Sequence, residues 1–182
     1  MDRIEMKKKA SLGYFDTKAN DDTWTRLGSF SKLQVWVDDS MMEEGYLEVD
    51  VVDTSVQHGR SPQRVKRVLN ITLSIGEDFS NAFHIDMTQL DHRYGGRGIA
   101  AKAYRYIMKH MGITLQAGTC QSKGGRKVWF DLAKMQDLQV WAQTKHGKST
   151  VVDIDKELRE VCLPKKAIYD SERVETYVFA SA

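Results

Sequence analysis

The sequence predicts a single α+β domain built on a mixed, mostly antiparallel sheet flanked by helices. Three observations predict it. The first half of the chain repeats short segments that alternate apolar and polar residues, as strands with one buried face do. After a glycine-rich turn at residues 95–98 the period becomes that of an amphipathic helix. The 182 residues, 41% of them hydrophobic, supply one sizeable core and too little for two.

Taken in order, residues 1–31 show neither period and are expected to form an N-terminal arm or irregular segment, leaving 32–182 as the domain. Residues 32–39 alternate Leu33, Val35 and Val37 with polar neighbours, and 45–54 do the same with Leu47, Val49 and Val51. Both read as strands. The segment 58–67 carries Gly59 and Pro62 among four cations and reads as a loop. Residues 68–78 and 82–91 read as two further strands. The second places Phe83, Ile85, Met87 and Gln89 on one face and His84, Asp86 and Thr88 on the other.

A helix is predicted over 98–110, with Ile99, Ala103 and Ile107 on one stripe, Ala100, Tyr104 and Met108 beside it, and Gly112 as its stop. A short strand at 113–119 and a second helix at 124–135, with Val128, Leu132 and Met135 at compatible spacing, follow. A hairpin of 138–144 and 149–154, closed by 145–148, and a last strand at 174–180 complete the reading.

The 27 basic and 25 acidic residues leave a net charge of +2, so no global field marks a nucleic-acid or membrane-surface protein. No 18-residue apolar run and no signal-peptide pattern occurs, and a soluble, cytoplasmic protein is expected. Cys120 and Cys162 form no C-x-x-C pair and read as reduced thiols. His58, His92, His110 and His146 share no metal-ligand spacing, so no metal is expected. The triplet Asn70-Ile71-Thr72 reads as strand.

Strand, glycine turn and helix in succession make a phosphate-binding geometry. The first helical turn leaves its N–H groups unpaired, and the helix dipole places partial positive charge there. A dinucleotide-binding reading fails, because "GGRGIA" matches G-x-G-x-x-G only loosely and the first half offers no βαβ repeat. The stretch "AQTKHGKS", Ala142 to Ser149, ends like a phosphate loop, but strand follows where a helix is required. A hairpin turn is expected there.

Residues 82–135 resemble the GCN5-related N-acetyltransferase family, through "YGGRGIA" (94–100) and "ITLQAGTCQSKGGRKVWFDLAK" (113–134). The pattern "QSKGG..VW..L" is similar to acetyltransferase-like proteins encoded by bacteriophages. The resemblance implies that backbone amides at Gly96, Gly98, Ile99 and Ala100 hold the pyrophosphate of acetyl-coenzyme A. Gly95 stands where the family has Arg or Gln, with Arg97 and Arg93 supplying the charge. A second register, starting at Arg93, also fits the short pattern.

Further implications rest on the same resemblance. The strand edge at Met87 and Gln89 would pair with the pantetheine arm, and Lys123 and Arg126 would meet the nucleotide's phosphates. Trp129 replaces a tyrosine that protonates the departing thiolate; an indole N–H serves there only as a hydrogen-bond donor. His84 and Asp86, on one strand face, are the candidate bases that take a proton from the acceptor amine. The expected function is acetyl transfer from acetyl-coenzyme A to an amine of unknown identity. The rival is a non-catalytic structural or interaction module on the same fold, for example in a bacteriophage virion, acting in a protein assembly or homo-oligomer.

Overall fold

A computed structural model describes residues 11–17, 23–75, 82–118, 122–144, 149–151 and 176–182. Its backbone is one long hairpin of β4 (Tyr46–His58) and β5 (Ser61–Ile75), on which every other strand is built outward. The expected loop at 58–67 is absent: only Gly59, with φ +60°, and Arg60 stand outside the strands. The cations that suggested a loop are not solvated together. Lys66 is buried against Asp91 at 2.7 Å, and Arg67 meets Asp50 at 2.7 Å, so carboxylates across the sheet neutralise them in place. Pro62, second residue of β5, lies at the hairpin tip, where a missing N–H is tolerated.

Two strands occupy the segment that shows no period. β1 (Tyr14–Asp16) pairs with the tip of β5, Phe15 opposite Val65, and β2 (Trp24–Phe30) pairs with β3 (Leu33–Asp38). β2 alternates poorly because it is an edge strand broken by a bulge between Arg26 and Gly28. Gly28 sits at φ +146°, and a side chain there would overlap the Tyr106 hydroxyl. The turn into β3 has Ser31 and Lys32 both at positive φ, the demand of a two-residue hairpin usually met by Asn-Gly.

The remaining elements follow in order: β6 (Phe83–Leu90), α1 (Ile99–Met111), β7 (Leu115–Gln116), α2 (Lys123–Ala133), β8 (Gln139–Thr144), β9 (Ser149–Val151) and β10 (Thr176–Ser181). The strands form one curled sheet in the order β2-β3-β4-β5-β6-β7-β10-β8-β9, with β1 on β5. Among the described residues every pairing is antiparallel except β6 with β7. The protein is therefore α+β, with a mostly antiparallel sheet and, among the described residues, two α-helices. The hairpin expected near the C-terminus is borne out by β8 and β9, Gln143 opposite Ser149; residues 145–148 lie outside the described residues. Among the described residues no helix is long and apolar enough to cross a membrane.

The helical period predicts the core correctly. Ile99, Ala100, Ala103, Tyr104, Ile107 and Met108 are all buried, against Val35, Val49, Val51, Leu69, Ile71 and Leu73 of the sheet. Gly112 ends α1 in the left-handed conformation, its N–H donating to the Met108 carbonyl. At the far end of the curl Tyr106 reaches β2, its ring 5.7 Å from Phe30. A smaller cluster of Phe15, Trp36, Val52 and Val65 covers the tip of the long hairpin.

One charged pair, Lys66 with Asp91, is buried in this sheet, and a second, Arg67 with Asp50, is buried only on the carboxylate side. Asp91 is fully buried; burial opposes its charge, but hydrogen bonds from Lys66 and Arg93 outweigh that and hold its carboxyl well below the usual range. Asp50, also fully buried, accepts from Asn70 at 2.9 Å, and burial pushes it up to about 6 despite the Arg67 guanidinium.

Removing one partner of a buried pair strands the other charge. Lys66→Met should cost about 3–5 kcal/mol, read as a lower urea midpoint, and adding Asp91→Asn should recover part of the loss. An unchanged midpoint would show that the pair is dispensable. For Asp50 the sign is opposite to that of an ordinary ion-paired carboxylate. The folded protein holds the proton more tightly than the unfolded chain, so this group's contribution to stability falls as pH rises from about 4 through about 6. The stability of wild type relative to Asp50→Asn should therefore decline over that window, as measured by melts at matched ionic strength; a flat difference contradicts it.

Candidate functional site

The site begins where β6 ends. Asp91 closes the strand by accepting from the Arg93 backbone N–H at 3.1 Å, which sets a short 3-10 turn at His92–Tyr94. Tyr94 is buried and donates its hydroxyl to Asp53 at 2.9 Å, fixing the turn to β4; burial and that hydrogen bond raise its phenol to about 12. The next four residues are displayed from this anchor. Gly96 and Gly98 stand at φ +75° and +66°, and an added Cβ at either would meet nothing within 4 Å.

Gly98 is the N-cap of α1 and supplies no side-chain cap. The first helical bond runs from the Lys102 N–H to the Gly98 carbonyl at 3.1 Å, so the preceding amides of Ile99, Ala100 and Ala101 have no acceptor within the helix. Two exposed cations flank this turn. The Arg97 guanidinium lies 5.4 Å over the Tyr94 ring, and Arg93 Nε is 3.2 Å from Asp91. The open glycine turn, two arginines and a helix N-terminus thus come together as the sequence reading expected.

The strand leading to this turn departs from its expected faces. Ile85 pairs with Leu73 and Met87 with Thr72, so Asp86 is the extra residue of a bulge. Beyond it the alternation inverts. Thr88 pairs with buried Ile71 and shares a 2.5 Å hydrogen bond with the Tyr104 hydroxyl, so it belongs to the helix-covered face. Met87 and Gln89 turn to the face of His84, the Gln89 amide donating to the Met87 sulfur at 3.3 Å. The expected grouping of Met87 and Gln89 with Phe83 and Ile85 is thereby corrected.

His84 and Asp86 are in direct contact, Nδ1 to Oδ1 at 2.9 Å. The Ser74 hydroxyl donates to the same carboxylate oxygen, also at 2.9 Å. Next to them β7 pairs in parallel with β6 at two positions only, Phe83 with Leu115 and His84 with Gln116. Past His84, among the described residues, β6 has no strand partner on that side. β7 instead continues along β10, the Ala117 N–H donating to the Val178 carbonyl at 2.8 Å.

Gln116 and Gly118 are the residues that sequence reasoning missed. The Gln116 side chain is buried at the His84 position, and its Oε1 has no hydrogen-bond partner. At Gly118 a Cβ would fall 2.6 Å from the Ile85 carbonyl oxygen and 3.9 Å from His84 Nε2. Only a glycine lets the chain pass this close to β6. A glycine inside a strand-like run was the available signal.

The second helix is placed less favourably. Ser122 caps it, accepting from the Gly125 N–H at 3.1 Å; Lys123 is exposed and Arg126 half-buried at its first turn. Trp129 is 2% exposed, with its ring 6.4 Å from Tyr104, and fills core volume. The structure thus gathers two clusters at opposite ends of β6. The six steps from His84 to Leu90 span about 20 Å at the rise of a strand. Cys120, Cys162 and His146 lie outside the described residues, and no metal-ligand cluster occurs among those described.

Comparison with known proteins finds no matching family model, no similar curated protein and no similar solved structure. The geometry of the site itself has to carry the functional argument.

Gly118→Ala should push β7 away from β6, because the obstructing atom is a backbone carbonyl. A loss of about 1–3 kcal/mol is expected from such overpacking, read from a denaturant midpoint. A neutral substitution would show that the strands part at little cost.

Proposed function

We propose that this protein is an N-acetyltransferase that moves an acetyl group from acetyl-coenzyme A to an amine, on a fold of the GCN5-related N-acetyltransferase kind. One observation carries the reading. An open glycine turn at a helix N-terminus is joined to a histidine–carboxylate pair by a strand edge that has no strand partner among the described residues. The parallel β6–β7 ladder of two positions, followed by β10 and β8, supports the fold assignment.

The residues divide the work as follows. Amides of Ile99 and Ala100, with room left by Gly96 and Gly98, receive a pyrophosphate, and Arg97 adds charge. The edge of β6 from Leu90 back to Asp86 offers backbone groups to an extended arm. The bulge at Asp86 takes one residue out of the ladder with β5. Bound acetyl-coenzyme A supplies the activated thioester. With the Nδ1 hydrogen held by Asp86, His84 presents Nε2 as the basic nitrogen that removes a proton from the acceptor amine. The amine then forms the new C–N bond as the C–S bond breaks.

A second reading is favoured by Trp129. Its burial in the core leaves no acidic group at that position for a departing thiolate, which suits a non-catalytic module such as a virion component.

Binding and catalysis separate the two. Coenzyme A at about a hundredfold excess over Kd should stabilise the protein by about 2.7 kcal/mol, on the order of 5–10 °C in melting temperature. Gly98→Val should abolish that shift, with its own fold checked by circular dichroism, since φ +66° disfavours a branched residue and its side chain would fill the open space a phosphate needs. His84→Ala should keep the shift while lowering acetyl transfer to an amine panel by roughly a hundredfold. A wild-type melting point indifferent to millimolar acetyl-coenzyme A would sink the enzyme reading.

A further inference from the structure

The tip of the long hairpin holds a second concavity, remote from the glycine turn and independent of the acetyltransferase reading. β2 and β3 form one side of it, and the end of β4 with β5 and β1 the other, enclosing a groove of about 550 Å³. That volume lies within the roughly 300–1,000 Å³ of small-molecule sites. Its lining chemistry is unusual for a surface hollow. Three glutamines, Gln34, Gln57 and Gln63, and two threonines, Thr17 and Thr54, line it; the Thr17 hydroxyl donates to the Gln63 carbonyl at 3.1 Å and keeps its lone pairs as acceptors. Each amide offers a donor and an acceptor in one plane, the pattern that pairs with adjacent hydroxyls on a ring.

Trp36, Val65 and Pro62 supply apolar surface between the polar groups. One charge is present, the exposed Arg26, and among the described residues no carboxylate lines the groove. Among the described lining residues a cationic ligand would find no counter-charge, whereas a single carboxylate would. A peptide adding itself as a strand is disfavoured by the floor. β3 already lies between β2 and β4, and the tip of β5 between β4 and β1, so their main-chain groups are committed to existing ladders. Recognition on β3 and the tip of β5 therefore comes from side chains.

The geometry points to this groove as a binding site for a carboxylated saccharide, with the glutamine amides and threonine hydroxyls reading ring hydroxyls and Arg26 taking the carboxylate. The indole of Trp36 is held for that purpose: its Nε1 donates to Gln34 Oε1 at 3.2 Å, which leaves the Gln34 amide hydrogens for a ligand.

The test uses the full chain with two probes, 3′-sialyllactose and lactose, followed by saturation-transfer NMR and by amide shift mapping. Sialyllactose should bind at millimolar concentration with shifts confined to the groove, and more tightly than lactose. Arg26→Gln, an exposed substitution, should weaken sialyllactose about tenfold or more, the scale of a charge-assisted hydrogen bond, and leave lactose unchanged. Gln57→Ala combined with Gln63→Ala should weaken both sugars. Absence of saturation transfer from either sugar overturns the proposal, as do shifts that map elsewhere, equal binding of the two, or affinities indifferent to these variants.

Discussion

The buried contact between Lys66 and Asp91 is the constraint on which the other parts of the molecule depend. Its lysine comes from β5 and also donates to the Gly13 carbonyl at 3.3 Å, so the pair holds the first strand to the sheet. Its carboxylate is the residue that ends β6 and starts the 3-10 turn. A charge pair this deep is an uncertain source of net stability, since desolvation consumes much of the attraction. What it provides is location. The glycine turn starts from a point fixed to β5 and, through Tyr94, to β4, so an otherwise pliable loop emerges from a rigid base.

How much of this the sequence disclosed depended on whether the information was local. The helix over 99–111 was legible because six apolar residues repeat at its period and glycines bound it at both ends. The glycine turn was legible for the same reason. The long hairpin was not, because its cations looked like loop residues until their partners, Asp50 and Asp91, were placed beside them by strands far away in sequence. β2 escaped because an edge strand need not alternate, and because Ser31 and Lys32 adopt left-handed backbone without the usual Asn or Gly to announce it.

At the candidate site the same division holds. His84 and Asp86 share a face by strand geometry alone, and sequence spacing placed them together correctly. Ser74 joins them from β5, an association created by strand register, and Gln116 arrives from a two-residue parallel pairing. Neither is a pattern that spacing can reveal. The bulge at Asp86 leaves no mark on side-chain types, and by adding one residue it reversed the facing of Met87, Thr88 and Gln89. One backbone irregularity therefore decided which side chains meet Tyr104 and which face His84.

The brevity of the β6–β7 pairing has a consequence for the cooperativity of the molecule. Strands β2 to β6 with β1 form one continuous ladder, and β7, β10, β8 and β9 form another. Among the described residues two residue pairs form the ladder at the seam between them, and α1 packs on both β2 and β10. Such a seam divides the sheet into two units able to open separately, each more protected internally than at their junction. Amide exchange along β6 would therefore be graded from one edge to the other, slow where it faces β5 and faster where the second ladder departs.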